Sequence, residues 1–131
     1  MDPAPLLSDL LRAARHGPEA VLVRVAEALP GFARRDAGPP TAALLVRGAP
    51  RVLLSGHVDV VPAGAGWTRD PHGGEVAEGR VWGRGACDML GSVACFVAAA
   101  RRAPDAPCGI LLTTDEETGM AAASRALEAG L

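Results

Sequence analysis

Leu53-Leu54-Ser55-Gly56-His57-Val58-Asp59-Val60-Val61-Pro62 is the stretch whose reading decides the fold. Its apolar front half predicts a buried strand, and proline closes the run just after a His and an Asp have been delivered to the strand's end. In open α/β sheets ligands bind beyond the carboxyl ends of the strands, so a site is expected here. Two residues apart in an extended chain, His57 and Asp59 point to one side. A carboxylate so placed can hold the imidazole in one tautomer and leave its other nitrogen for a metal.

Working outward, Thr41–Val46 and Arg51–Ser55 read as two β-rich runs joined by a hairpin at Arg47-Gly48-Ala49-Pro50, which makes the His57 run a central strand with an antiparallel neighbour before it. Upstream, Pro5–Ala14 and Glu19–Leu29 carry apolar residues at helical spacing, separated by the breaker Gly17-Pro18. Residues 34–40 read as a turn-rich linker. Downstream, 62–74 reads as loop, with Trp67 as a packing anchor, and a short hairpin is expected at 75–82 around Glu78-Gly79. Ser92–Arg102 reads as a helix whose closing Arg101-Arg102 complements its dipole. Cys108–Thr114 is an apolar strand and Met120–Ala129 an Ala-rich helix.

The 131 residues suit one domain. Thirteen basic residues, all Arg, stand against fifteen acidic ones without a basic stripe, and aromatic residues are 3% of the chain, so nucleic acid is a poor partner. The apolar runs are too short to span a bilayer. Three cysteines, Cys87, Cys95 and Cys108, without a CxxC argue against a disulfide framework or a structural zinc site. Met1-Asp2-Pro3 lacks the basic start of a signal peptide, so a reducing cytoplasm is expected. His16 and His72 read as solvated histidines and Cys87 as a small packing residue.

Two further stretches carry acids. Asp88, in Gly83-Arg84-Gly85-Ala86-Cys87-Asp88-Met89-Leu90-Gly91, reads either as a helix cap or as a ligand; a nucleotide loop is excluded because the third Gly and the P-loop Lys are missing. Glu116 and Glu117 close the strand that ends at Thr114-Asp115, and a right-handed crossover brings that end beside the first. Imidazole with carboxylates and no thiolate suits Zn, Mn or Co. One carboxylate can bridge two ions about 3.5–4 Å apart while another takes a proton. Without cations such acids repel one another, and Arg84 is the only base nearby in sequence.

The three stretches, in this order, resemble the motifs of the metallohydrolase family that contains acetylornithine deacetylase, succinyl-diaminopimelate desuccinylase, aminoacylase and glutamate carboxypeptidases. Trp67-Thr68-Arg69-Asp70-Pro71 and Asp115-Glu116-Glu117-Thr118-Gly119-Met120 lean toward acetylornithine deacetylase. The resemblance spans roughly residues 50–130. It implies an incomplete α/β three-layer sandwich with a mixed, mostly parallel central sheet flanked by helices, as in zinc aminopeptidases.

It also implies roles. His57 binds one of two divalent ions (zinc, or cobalt or manganese), Asp88 bridges them and Glu117 binds the second. Asp59 orients His57, and Glu116 is the general base that frees a hydroxide to attack the amide of an N-acyl amino acid and returns the proton to the leaving amine. The Asp88–Met89 peptide is expected to be cis. The reaction implied is metal-dependent deacylation in amino-acid biosynthesis; succinyl-diaminopimelate or dipeptide substrates are the alternative.

Two departures stand out. Leu90 occupies a position where the family usually has Lys. The family's later metal ligands, and the smaller dimerisation domain that supplies a substrate-binding His and Arg, have no counterpart in the 131 residues. The chain is therefore expected to be the N-terminal part of the catalytic domain of a homodimeric enzyme and inactive by itself. The reading from a different class is a non-catalytic piece that at most binds or interacts.

Overall fold

The structure, a computed structural model, describes residues 1–131. Helix α1 (Ala4–Ala13) opens with Pro5 in its first turn, where a missing N–H costs nothing, and the Asp2 carboxylate accepts the Ala4 N–H at 2.9 Å. A 3-10 turn (Ala14–His16) and Gly17 separate it from α2 (Pro18–Glu27), which again starts on proline. The two apolar stripes, Leu10 and Leu11 with Val21, Leu22 and Val25, are buried against each other and against α3 (Gly91–Arg102).

The sheet runs β1-β2-β6-β3, from β1 (Ala33–Ala37), β2 (Ala42–Arg47), β3 (Leu53–His57) and β6 (Cys108–Thr113). The pairings β1·β2 and β2·β6 are antiparallel, while β3·β6 is parallel. The sheet is thus mixed, and among these residues its parallel part is the β3·β6 pair that bears the site. Side chains alternate across it as the pleat requires. Ala43, Leu45, Ile110 and Leu112 face the 17-residue core shared with α1, α2 and α3, and Ala42 faces α4 (Ala121–Glu128) in a second cluster of three. A fully buried Leu or Val contributes about 1.5–3 kcal/mol, so the three-layer body is held mainly from the α1–α3 side and α4 only lightly.

Three expectations are corrected. Residues 34–40 are not a linker: Ala33–Ala37 forms the edge strand β1, and the turn after it is made by Gly38 and a cis Pro39–Pro40 bond. At Gly38 φ is +120°, and a Cβ would lie 1.8 Å from the Pro40 carbonyl oxygen. The expected β2–β3 hairpin does not form, because β6 lies between them. Gly48-Ala49-Pro50 instead carries the chain past the start of β6, with the Arg47 guanidinium donating to the carbonyls of Ala100, Ala103 and Ala106. Consequently β3 is not central but an edge strand, with Leu53 exposed. A local turn signal lost to a non-local demand: Ile110 and Leu112 are completely buried, and β6 reaches that burial only with a strand on each side.

The hairpin β4 (Glu75–Ala77) and β5 (Arg80–Trp82) forms a separate two-stranded sheet with Glu78-Gly79 at its turn, as the sequence predicts. No helix is long and apolar enough to cross a membrane.

Candidate metal centre

Three chain segments converge at the carboxyl ends of β3 and β6. The parallel register places His57 opposite Thr113, and the Val58 N–H continues the ladder to the Thr113 carbonyl at 2.9 Å. Both strands therefore release their polar residues at the same level. His57, Asp59, Thr114 and Asp115 are all buried there.

The third segment is Gly83–Gly91. Gly85, at φ +90°, lies so close to β3's extension that a Cβ would stand 2.5 Å from Val60 Cγ1. The turn that follows, Ala86–Leu90, departs from helical angles at Asp88 and Met89, and their peptide is cis as expected. The extended backbone angles at Asp88, φ −126° and ψ 100°, set it outside the helix, and its carboxylate reaches the imidazole, with His57 Nε2 to Asp88 Oδ1 at 3.1 Å. The helix-cap alternative for Asp88 does not hold, since no capping bond is made from it. Leu90, in place of the family's usual Lys, is fully buried in the main core, so the position serves packing in this chain.

His57 Nε2 also lies 3.8 Å from Glu116 Oε2, and ligand atoms of His57, Asp88 and Glu117 all fall within 4.8 Å of one another. On its other side, His57 Nδ1 faces the Asp59 backbone carbonyl at 3.0 Å. A carbonyl only accepts, so the proton is assigned to Nδ1. Nε2 then faces carboxylate oxygens and needs either a second proton or a cation. The electrostatics agree: burial pushes the imidazole pKa down, but the Asp59 carbonyl, the Asp88 carboxylate and the charges of Asp59 and Glu116 outweigh it and raise the pKa above 6.5. An all-N,O donor set of this kind fits Zn, Mn or Co rather than a thiol-preferring ion.

Asp59 does its work differently from the expectation. Its carboxylate is 3.6 Å from His57 Nδ1, too far for a hydrogen bond. Instead Oδ1 accepts the Glu116 N–H at 3.1 Å and Oδ2 the Glu117 N–H at 2.9 Å. The backbone carbonyl orients the ring, and the side chain ties the two glutamates' backbone to β3. The physical reason is that consecutive N–H groups leaving a buried strand end need acceptors, and an ionised carboxylate is the strongest one within reach.

Asp115 was missed by sequence reasoning. Its carboxylate accepts the N–H groups of Ala121 at 2.7 Å and Ala122 at 3.1 Å, satisfying the first turn of α4, while its carbonyl accepts from Thr118, Gly119 and Met120. A cap standing six residues ahead of its helix matches none of the short capping spacings, so no local signal marks it. Trp67 is also more than an anchor. Its Nε1–H donates to the Ala63 carbonyl, and the Arg84 guanidinium lies over its ring. His16 is exposed, whereas His72 is half-buried, with Nδ1 lacking a partner.

Residues 53–131 match the sequence signature of Peptidase family M20/M25/M40. Succinyl-diaminopimelate desuccinylase of Gluconobacter oxydans (strain 621H) is 42% identical over 134 residues, covering 88% of this chain and 35% of that protein. The protein of the same name from Acidiphilium cryptum (strain JF-5) is 41% identical over 128 residues, covering 88% and 34%. The chain thus spans about a third of the length of the curated relatives it matches. Among solved structures, human carnosine dipeptidase 1 superposes with a TM-score of 0.71 at 24% identity, over 94% of this chain and 34% of that one. The di-peptidase Dug1p from Saccharomyces cerevisiae gives 0.64 at 21% identity, over 95% and 35%. At these identities the likeness is one of fold.

Proposed function

The chain belongs to Peptidase family M20/M25/M40, and from that premise we propose that it forms the N-terminal part of the catalytic domain of a metal-dependent amidohydrolase that removes an acyl group from an N-acyl amino acid. The observation that carries this reading is the convergence of His57, Asp88 and Glu117 within 4.8 Å, with Glu116 beside them. His57 through Nε2, Asp88 and Glu117 would hold the ions, with Asp88 common to both of a pair; zinc is the first candidate. Such ions supply Lewis acidity and a nucleophile available at neutral pH.

The chain's own residues do the rest. The Asp59 carbonyl keeps the proton of His57 on Nδ1, and the Asp59 carboxylate fixes the backbone from which Glu116 and Glu117 project. Glu116, whose carboxylate is partly open to solvent and lies 3.8 Å from the imidazole, takes the proton of the attacking water and returns it to the departing amine. The desuccinylase name of the relatives supports an N-succinyl substrate. The Trp67–Pro71 and Asp115–Met120 stretches, by their resemblance, support an N-acetyl one. Both belong to the one substrate class.

The open setting of Asp88 favours a second reading, in which these residues alone bind metal weakly and catalyse nothing. Calorimetric titration with zinc, and with cobalt followed by its visible absorption, separates the two. The hydrolase reading expects saturable binding that is weakened about a hundredfold in Asp88→Ala, and turnover of N-succinyl or N-acetyl amino acids by a protein containing the chain. Absence of saturable binding of either metal would overturn it.

A further inference from the structure

Four arginines are half-buried, and three have partners. Arg47 donates to backbone carbonyls, Arg125 donates to the Pro40 carbonyl, and Arg69 pairs with Glu75 and Glu78. Arg84 is the fourth. It takes part in no ion pair, its side chain donates no hydrogen bond, and its Nε is buried without an acceptor. Its guanidinium lies 5.3 Å from the centroid of the Trp67 ring.

The same molecule contains a finished version of this arrangement. Arg69 lies 4.5 Å over Trp82 and is also met by two carboxylates. At Arg84 the aromatic platform is present and the carboxylate is missing. Both partners are held in place from behind: the Arg84 N–H donates to the Pro71 carbonyl at 2.7 Å, and the Trp67 Nε1–H to the Ala63 carbonyl at 2.7 Å. Arg84 and Trp67 line a cavity of about 410 Å³ together with Asp88 and Glu117, and Arg84 is its only cationic side chain.

We propose that Arg84, backed by Trp67, is the subsite that receives a carboxylate of the substrate, contributed either by the acyl arm or by the amino-acid end. This rests on the hydrolase reading, because it places the reacting amide in the cavity that Asp88 and Glu117 share with Arg84. A guanidinium fork binds a carboxylate through two parallel hydrogen bonds, and the cation–π contact with the Trp67 ring, 5.3 Å from guanidinium carbon to centroid, limits where the fork can sit before the carboxylate arrives. The subsite thereby selects N-acyl amino acids carrying a free carboxylate over neutral amides.

The test uses the indole Nε1–H resonance of Trp67 in the zinc-titrated chain, assigned with Trp67→Phe. Three probes are added: N-succinylalaninamide, charged only on the acyl arm; N-acetylalanine, charged only at the amino-acid end; and N-acetylalaninamide, uncharged. At least one charged probe should shift the resonance saturably and the neutral probe should not, and the responding probe identifies which carboxylate is bound. Arg84→Ala should weaken that binding at least tenfold, and Arg84→Lys, which keeps the charge without the fork, at least threefold. Equal affinity in the wild type and both variants, or no saturable shift with either charged probe, overturns the subsite. Zinc titration of the same samples keeps the two readings apart: zinc binding with an Arg84-independent probe response removes only the subsite, whereas Arg84-dependent probe binding without zinc binding removes only the hydrolase.

Discussion

His57, Asp59 and Asp115 stand at the ends of two hydrogen-bonded strands and are 5%, 8% and 6% exposed, whereas the side chains of Asp88 and Glu116 are 76% and 43% exposed. The buried group forms the floor of the site, and its carboxylates are satisfied by the protein. Asp59 accepts two N–H groups beyond β6, and Asp115 accepts two at the start of α4. The exposed group forms the rim, where Asp88 meets only the His57 imidazole. A carboxylate that already holds backbone N–H groups stabilises the fold, and one left open remains available to a cation or a proton. Floor and rim should therefore respond to substitution in opposite ways.

The largest expected effect falls on the rim. Asp88→Ala should lower zinc affinity about a hundredfold, equivalent to roughly 2.7 kcal/mol, while the unfolding free energy of the metal-free chain changes by no more than about 0.5 kcal/mol. Calorimetry and urea titration on one preparation measure both, and a large loss of metal-free stability would erase the distinction.

On the floor, Asp59→Ala leaves two N–H groups without their acceptor and should cost about 2–3 kcal/mol of stability even with no metal present. If its urea midpoint matched that of Asp88→Ala, floor and rim would be the same kind of structure. Asp115→Ala should cost less, about 1–2 kcal/mol, because α4 is attached through the smaller cluster and can fray at its start. Amide exchange should then quicken at Ala121 and Ala122 and stay unchanged in α3.

The smallest effect lies at Asp70, remote from both groups. The His72 N–H and then the Arg15 guanidinium hold its carboxyl below its usual 3.8. A depressed carboxylate stabilises the fold above its unfolded pKa, and that contribution is lost as pH falls through the folded value. The difference in thermal midpoint between wild type and Asp70→Asn should thus be present at pH 6 and vanish on acidification below 3.8, and salt should shrink it. A difference that persisted in acid would assign the loop's stability to packing instead of charge.

Much of this molecule could be read without coordinates. Helical spacing of Leu10 and Leu11, the breaker Gly17-Pro18, and the Glu78-Gly79 turn are local signals, and the elements they predict are present within a residue or two. Imidazole and carboxylate chemistry marked His57, Asp59, Asp88, Glu116 and Glu117 as a group, the family resemblance implied His57, Asp88 and Glu117 as its metal ligands, and the structure brings ligand atoms of those three within 4.8 Å of one another. Strand order was beyond reach, since Arg47-Gly48-Ala49-Pro50 has the composition of a hairpin turn and only the burial of β6 decides that another strand intervenes. The roles of Asp59 and Asp115 were equally hidden, because a carboxylate's partners depend on which N–H groups the fold leaves unpaired around it. The sequence by itself determined where the chain breaks between its first helices, where it turns at Glu78-Gly79 and which side chains have the chemistry of metal ligands; the tertiary structure alone decided that β3 and β6 are neighbours and that Asp59 is spent on the backbone of Glu116 and Glu117, because both follow from contacts between residues more than fifty positions apart.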